Sequence, residues 1–304
     1  MFQFSDEVQR ARELDAPIVA LESTVITHGL PTPQNMELAL AMEAKVRREG
    51  AVPATVALLD GQIRVGINEA ELERLANAKD PVKVSRRDFA KVIVKKLDGG
   101  TTVAGTMLAA QKAGIQVFAT GGIGGVHRES YLDISTDLQA LSDTPMIVVC
   151  AGAKSILDLP TTLEYLETMA VPVVGYGTDE FPAFFSRHSG LNVSVRLDSP
   201  EEIAAFAKAH WDLGMKSAIL VTNPIPEEHS LDDEFINPII EQASADAKEK
   251  GIHGQALTPF LLARINKLSG GKSLQSNLVL LHNNATLAAQ IAKVMVNSKQ
   301  TKHI

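Results

Sequence analysis

Short apolar runs recur along the chain and are separated by polar or small residues. Each run has the length of a buried strand and is rich in branched aliphatic side chains. The runs are PIVALES, ATVALLDGQIRVG, VKVSR, IQVFAT, MIVVCAGA, VPVVGYG, VSVRL and SAILVTNP. In the second run, Asp60-Gly61 divides two strand-like pieces, a pattern that predicts a β-hairpin.

The segments between and after these runs have the spacing of amphipathic helices. PQNMELALAMEAKVRREG and TTVAGTMLAAQKAG each end at a glycine, which often terminates a helix. SPEEIAAFAKAHWDLG begins with Ser199 and Glu202 at the spacing of a capping box. The last third is helical throughout: LDDEFINPIIEQASADAKEKG, TPFLLARINKLSGG and SLQSNLVLLHNNATLAAQIAKVMVN.

This alternation predicts a three-layer α/β/α fold, in which helices cover a mainly parallel sheet. The Asp-Gly hairpin adds an antiparallel strand, so the sheet is mixed. No Pro/Ser-rich linker divides the chain, and we expect a single α/β/α domain over residues 1–304. In such sheets ligands bind beyond the carboxyl ends of the strands.

Composition narrows the function. The chain has 304 residues, 45% of them hydrophobic, and a formal net charge of −7. That charge argues against nucleic acid as a partner, because phosphate backbones require a concentrated basic face. The single cysteine, Cys150, lies in an apolar run and is expected to be a small buried hydrophobe. No apolar stretch reaches membrane-spanning length, so we expect a soluble cytoplasmic protein.

Lys154 follows the apolar run MIVVCAGA, with only small residues before it. Lysines are common at exposed strand-to-helix junctions, so an ordinary solvated side chain is one interpretation. Partial burial favours another, because it disfavours an ammonium ion and yields the neutral amine that attacks carbonyl carbons. Glu22 follows PIVAL at another strand end and would serve such an amine as acid or base.

GGIGGVHR follows IQVFAT and has the composition of a phosphate-binding loop, since glycines let backbone N–H groups approach an anion. The dinucleotide fingerprint fails, because its third glycine would fall on His127. A flexible connection explains the glycines equally well. Gly270-Gly271-Lys272-Ser273 resembles the end of a Walker A loop, but it lacks the first glycine and follows a helix, so we reject it.

Asp133 and Asp137 lie four residues apart and would share one face of a helix. Hard cations such as Mg²⁺ and Mn²⁺ prefer carboxylate oxygens, and a sugar hydroxyl would use the same groups. The simpler interpretation is that Asp133 or Ser135 caps a helix over DISTDLQALS.

Together these stretches resemble the pseudouridine-5′-phosphate glycosidase family, which includes the indigoidine synthase A-like proteins. The resemblance extends from about residue 16 to about residue 296. It rests on long motifs in a fixed order: LESTVITHGLPTPQN, GAVPATVALLDGQIRVG, KVSRRD, TTVAGTM, FATGGIGGVHR, DISTDL, VCAGAKSILDLPTTLEYLET and LTPFLLARI.

The resemblance implies an α/β/α homotrimer that uses a divalent metal, typically Mn²⁺. It implies reversible cleavage of the C–C glycosidic bond of pseudouridine 5′-phosphate, giving uracil and ribose 5-phosphate. The motifs place the catalytic lysine on Lys154, the acid on Glu22 and the metal ligand on Asp133. The implied substrate-binding residues are Lys83, Val103, His127, Ser135, Thr136, Asp137 and Asn277.

In the implied mechanism, the Lys154 amine adds at C1′ of the opened ribose and forms an iminium ion. Carbon 5 of uracil is protonated, and water then releases ribose 5-phosphate. Three alternatives remain open. The chain would otherwise be a sugar kinase using GGIGG as its anion loop, a related C-ribosyl lyase of the indigoidine type, or a non-catalytic sugar-phosphate-binding protein.

Overall fold

Residues 1–128 and 130–300 are described by a computed structural model, in which strands and helices alternate along the chain. The strands are β1 (Phe2–Phe4), β2 (Ile18–Leu21), β3 (Val52–Leu59), β4 (Gln62–Val65), β5 (Val82–Val84), β6 (Gly99–Thr101), β7 (Val117–Ala119), β8 (Val126–His127), β9 (Ser130–Ile134), β10 (Ile147–Cys150), β11 (Leu157–Asp158), β12 (Val173–Tyr176), β13 (Val195–Leu197) and β14 (Ile219–Thr222).

Helices connect most of these strands. They are α1 (Asp6–Glu13), α2 (Gln34–Arg48), α3 (Glu69–Ala76), α4 (Phe89–Lys95), α5 (Val103–Lys112), α6 (Thr136–Asp143), α7 (Leu159–Thr168), α8 (Pro200–Asp212), α9 (Asp233–Glu249), α10 (Leu257–Leu268) and α11 (Lys272–Gln300). A π-helical turn spans Val25–Gly29. Among the described residues, no helix is long and apolar enough to cross a membrane.

The main sheet has the strand order β1-β4-β3-β2-β7-β10-β14-β12-β13, and β6 pairs with both β3 and β5. The central strands from β3 to β13 in that order are parallel to their neighbours. Strands β4 and β6 run antiparallel to β3. Helices flank this sheet, which confirms the predicted three-layer α/β/α fold with a mainly parallel, mixed sheet.

Local chemistry fixes the predicted element ends. Asp60 and Gly61 both have positive φ, 50° and 72°, as the turn between β3 and β4 requires. The Ser199 side chain accepts from the Glu202 N–H and the Glu202 side chain accepts from the Ser199 N–H, which completes the predicted capping box of α8. Cys150 is fully buried, and burial raises the pKa of its thiol to about 12, so it packs as the predicted small hydrophobe.

Helix α11 crosses the sheet and packs against β2, β7 and β10, as well as α2 and α8. It is a largely apolar helix of 29 residues, yet it carries the fully buried polar residue Asn284. Two Asn284 contacts reach the carboxyl end of β7: its Nδ2 lies 2.8 Å from the Thr120 carbonyl oxygen and 3.4 Å from that of Gly121. A polar anchor inside the apolar layer therefore fixes one strand end.

A second, three-stranded sheet with the order β11-β8-β9 lies beyond the carboxyl ends of the main strands. The apolar pattern did not predict this sheet, because β8 and β11 each contain only two residues. Asp133 lies in β9, whereas Asp137 lies in α6. The prediction that these carboxylates share a helix face is therefore wrong.

Candidate active site

A cavity of about 720 Å³ opens at the carboxyl ends of the parallel strands. Its wall includes every residue singled out from the sequence as catalytic, substrate-binding or metal-binding. These are Glu22, Lys83, Val103, His127, Asp133, Ser135, Thr136, Asp137, Lys154 and Asn277. They come from seven separate segments of the chain, so the fold brings together what the sequence keeps apart.

Lys154 is half-buried, and both ends of the residue are held. Its backbone N–H donates to the Ile123 carbonyl at 3.1 Å, and its Nζ donates to the Gly122 carbonyl at 2.8 Å. Downstream, the Arg128 guanidinium donates to the carbonyls of Ser155 and Leu157. The amine therefore lies inside the cavity in a defined position and is not the freely solvated side chain of a surface junction.

Glu22 follows β2 and is half-buried on the cavity wall. The Thr24 hydroxyl donates to its Oε2 at 2.5 Å, and the Thr120 hydroxyl donates to its Oε1. Both oxygens of the carboxylate thus accept a hydrogen bond from a threonine. The group is oriented by its neighbours in the same cavity as the Lys154 amine.

The glycine-rich loop 121–125 is pinned in place, in contrast to the flexible connection that its composition also allowed. The Gly124 N–H donates to Asp137 Oδ2 at 2.8 Å, and the Ala104 N–H donates to Oδ1 at 2.9 Å. A Cβ on Gly124 would collide with the Ser135 hydroxyl, so only glycine fits. Asp137 is buried and uses both oxygens to join this loop to the start of α5.

The N-termini of helices α5 and α6 lie beside the glycine-rich loop. Ser135 caps α6 by accepting from the Asp137 N–H at 3.2 Å, which fits the simpler interpretation of DISTDL. Thr136 lies at the first position of α6, and its hydroxyl lies 2.8 Å from that of Ser85. Val103 is the first residue of α5, where the helix dipole favours an anion, and the Asp137 carboxylate already accepts from the next N–H, that of Ala104.

Three basic side chains of the cavity, those of Lys83, His127 and Lys154, interact electrostatically with one another. Burial lowers the pKa of Lys83, and the nearby Lys154 lowers it further, opposed by Asp137 and Glu22. Burial also lowers the pKa of His127. The Asp133 carboxylate raises this pKa, and the positive charge of Lys154 lowers it further. The Lys83 Nζ lies 3.3 Å from the Gln255 carbonyl, before α10. An anionic ligand would relieve the repulsion between the two lysines.

Asp133 is the carboxylate best placed for a cation. It is half-buried, lines the cavity and accepts no hydrogen bond from the other described residues, whereas both Asp137 oxygens are occupied. Across residues 1–128 and 130–300, no group of three or more His, Cys, Asp or Glu side chains could enclose a metal ion. A cation bound here would therefore have Asp133 as its carboxylate ligand and waters at most of its other positions.

Two walls of the cavity were not predicted from the sequence. Phe184 and Phe185 belong to the connection between β12 and β13, and their rings meet edge to face at 4.8 Å between centroids. Helix α10 contributes Asn266, whose Oδ1 is buried without a partner among the described residues. In the sequence, the only sign of the aromatic wall was the pair of phenylalanines in a polar segment, and this pair does not identify a ligand.

Comparison with known proteins adds independent evidence. A family model described as "Indigoidine synthase A like protein" matches residues 7–294. A pseudouridine-5′-phosphate glycosidase of Caldanaerobacter subterraneus subsp. tengcongensis is 55% identical over 95% of this chain and 94% of its own. One from Geobacillus kaustophilus is 54% identical over 95% and 97%.

Two solved structures share the whole fold. A prealnumycin C-glycosynthase in complex with ribulose 5-phosphate has a TM-score of 0.91 and 40% identity, covering 99% of each chain. An indigoidine synthase A-like protein from Thermotoga maritima has a TM-score of 0.90 and 34% identity, covering 97% of each. The chain therefore belongs to the indigoidine synthase A-like family, which it shares with the pseudouridine-5′-phosphate glycosidases.

Proposed function

We propose that this protein is a pseudouridine-5′-phosphate glycosidase, which reversibly converts pseudouridine 5′-phosphate and water to uracil and ribose 5-phosphate. One observation carries the proposal: the Lys154 amine and the Glu22 carboxylate line the same cavity, and each is held by hydrogen bonds. An amine and a carboxyl group at the end of one sheet supply a nucleophile and a proton carrier.

Cleavage of the C–C glycosidic bond is assisted by covalent catalysis, because the uracil carbanion is a poor leaving group. A nitrogen bonded to C1′ can donate its lone pair to C1′ as the base departs. The Lys154 amine bonds to C1′ as the C1′–O4′ bond breaks, and Glu22 supplies the proton to the ring oxygen. The ammonium nitrogen so formed returns a proton to the Glu22 carboxylate, and its lone pair then forms a C1′=N bond while the C1′–C5 bond breaks. The electrons of the broken bond leave with the base, whose C5 takes the proton from Glu22. Water adds to the imine and frees ribose 5-phosphate and Lys154.

The phosphate of the substrate has a complementary surface. Lys83 supplies positive charge, and Val103, Gly121 and Gly122 line the same cavity, where the two glycines allow a close approach to the backbone. Binding energy from this remote group would position C1′ at Lys154. The same cavity is lined by further hydrogen-bonding groups, those of His127, Ser135, Thr136 and Asn277.

A divalent cation such as Mn²⁺ would be held by Asp133 with waters filling its other positions. When bound, it would screen phosphate charge and order water at that end of the cavity. Asp137 would orient the glycine-rich loop from behind the ligand, since its oxygens are occupied by backbone N–H groups. We further propose a cytoplasmic homotrimer, as expected from the family.

Borohydride trapping tests the proposal. The protein is incubated with ribose 5-phosphate and Mn²⁺, reduced with borohydride, and analysed by intact mass and peptide mapping. We expect a ribose-phosphate adduct on Lys154 that Lys154→Ala abolishes, together with uracil release from pseudouridine 5′-phosphate. Wild-type turnover by Lys154→Ala would refute the nucleophile.

The same assay separates the alternatives. Binding of ribose 5-phosphate without an adduct would indicate a sugar-phosphate-binding protein. An adduct without uracil release from pseudouridine 5′-phosphate would indicate a lyase for another C-ribosyl compound. Consumption of ATP with ribose as acceptor would indicate a sugar kinase.

A further inference from the structure

Thr120 is a buried residue behind the cavity wall, and its hydroxyl donates to Glu22 Oε1. It does not line the cavity itself, in contrast to Thr24, which donates to the other carboxylate oxygen from the cavity side. The two hydroxyls therefore hold Glu22 from opposite sides of the wall. A carboxylate that accepts a hydrogen bond on each oxygen has a fixed plane.

The position of Thr120 is itself fixed at the end of β7. Its N–H donates to the Val149 carbonyl at 3.0 Å, and its carbonyl accepts from Asn284 Nδ2 at 2.8 Å. Asn284 Oδ1 in turn accepts from Asn223 Nδ2 at 3.1 Å. These residues are buried, so a continuous polar chain links α11 and β14 to the Glu22 carboxylate.

We propose that Thr120 is a positioning residue that keeps the Glu22 carboxylate aimed into the cavity for proton transfer. The inference rests on the proposed function. Without the Thr120 hydroxyl, one Glu22 oxygen loses its partner, and the carboxyl group is free to rotate away from the atoms with which it exchanges protons.

Other titratable or charged groups share the cavity and are left unchanged by a substitution at Thr120. They are His28, Lys83, Arg87, His127, Asp133 and Asp137. Only differences between variants are therefore attributed to the Thr120 hydroxyl. Thr120→Val removes the hydroxyl with little change of shape, and Thr120→Ser restores it.

Thr222 provides a matched control. It is fully buried at the end of the parallel strand β14, and its hydroxyl donates to the Val174 carbonyl at 3.0 Å. It does not line the cavity. Thr222→Val therefore measures how much activity and stability fall when a buried threonine hydroxyl at a strand end is lost. The substitution leaves the hydrogen bonds of Glu22 unchanged.

The experiment measures kcat and KM for pseudouridine 5′-phosphate, with ribose 5-phosphate affinity and melting temperature alongside. For Thr120→Val we expect kcat to fall about tenfold with KM little changed, because a misdirected proton carrier slows the chemistry without weakening substrate binding. Thr120→Ser and Thr222→Val should keep the wild-type kcat, and ribose 5-phosphate affinity should not change.

The outcomes are distinguishable. A Thr120→Val enzyme with the wild-type kcat overturns the inference while leaving the proposed function intact, provided that the wild type forms the Lys154 adduct. Equal losses in Thr120→Val and Thr222→Val would assign Thr120 a purely structural role and also overturn it. A wild type that forms no adduct and releases no uracil contradicts the proposed function itself.

Discussion

The side-chain nitrogen of Lys154 lies 2.8 Å from the carbonyl oxygen of Gly122. This contact joins the loop after β10 to the glycine-rich loop after β7, two neighbouring parallel strands. Gly122 has no room for a side chain, since a Cβ there would lie 2.7 Å from the Phe184 ring and 3.1 Å from the Gly152 carbonyl. The position of the Lys154 amine therefore depends on the glycine-rich loop, and the position of that loop depends on its packing against Phe184.

Gly122→Ala should displace the carbonyl that holds Lys154 and lower kcat about ten- to a hundredfold, because misplacement of a reacting group by about 1 Å costs that much. Steady-state kinetics with pseudouridine 5′-phosphate measure the effect. Phe184→Leu should make room for the added methyl, so the double variant should lose less than the product of the single losses. An unimpaired Gly122→Ala enzyme would contradict the linkage.

We expect different roles for two aspartates of the cavity: Asp133 binds the metal, and Asp137 stabilises the fold. Asp133→Asn should weaken Mn²⁺ binding about tenfold or more with little change in the free energy of unfolding. Asp137→Asn should lower that free energy by about 1–3 kcal/mol, because an amide replaces a buried carboxylate that accepts two backbone N–H groups. Calorimetric Mn²⁺ titration and urea unfolding of both variants provide the measurements, and the reverse assignment would contradict this division.

Lys83 should make sugar-phosphate binding pH-dependent. Burial and the neighbouring Lys154 lower its pKa below the usual 10.5, so the ammonium loses its charge earlier as the pH rises. Ribose 5-phosphate affinity should therefore decline from neutral pH towards pH 10 in the wild type. Lys83→Arg, which stays charged, should show a flatter profile, and Lys83→Gln should bind weakly throughout. Calorimetric titrations at pH 7, 8.5 and 10 would show parallel profiles if Lys83 does not contact the phosphate.

Glu43 makes the fold sensitive to pH at a distance from the cavity. Burial raises the pKa of this α2 carboxyl above 4.5, although its Thr55 and Arg47 contacts oppose the shift. As the pH rises from 4.5 through the folded-state pKa, the unfolded chain ionises first, and the native state loses stability.

Glu43→Gln removes that ionisation while the amide oxygen still accepts from Thr55. Its free energy of unfolding relative to the wild type should therefore improve between pH 4.5 and pH 7.5. Urea unfolding at the two pH values tests this. A difference that stays constant, or that moves against the variant, would show that the Arg47 ion pair outweighs burial.

Much of the fold follows from local pattern. The predicted apolar runs form the central strands, and the Asp60-Gly61 turn and the Ser199 cap lie where their chemistry placed them. Strand β6 was not predictable, since it consists of Gly99, Gly100 and Thr101 and has almost no side chain to give a pattern. It pairs with β3 and β5, and position 100 must be glycine because a Cβ there would collide with the Thr27 side chain.

The candidate site was partly predictable for a different reason. Strand ends converge in a parallel sheet, so the residues after β2, β7 and β10 were expected to meet. The roles of Thr120 and Asn284 depend on partners 98 and 164 residues away, and no local spacing encodes such contacts. The Phe184 wall and the division of labour between Asp133 and Asp137 likewise depend on packing between distant segments.

Helix α11 lies late in the chain, after the last strand, yet Asn284 anchors the strand end beside Glu22, and Asn277 lines the cavity. During synthesis, every strand of the sheet leaves the ribosome before this helix does. The cavity is thus completed only when α11 docks against the strand ends that precede Glu22 and Lys154. The sheet and the cavity therefore form at different stages, and a chain that has made all its strands still lacks one wall of its site.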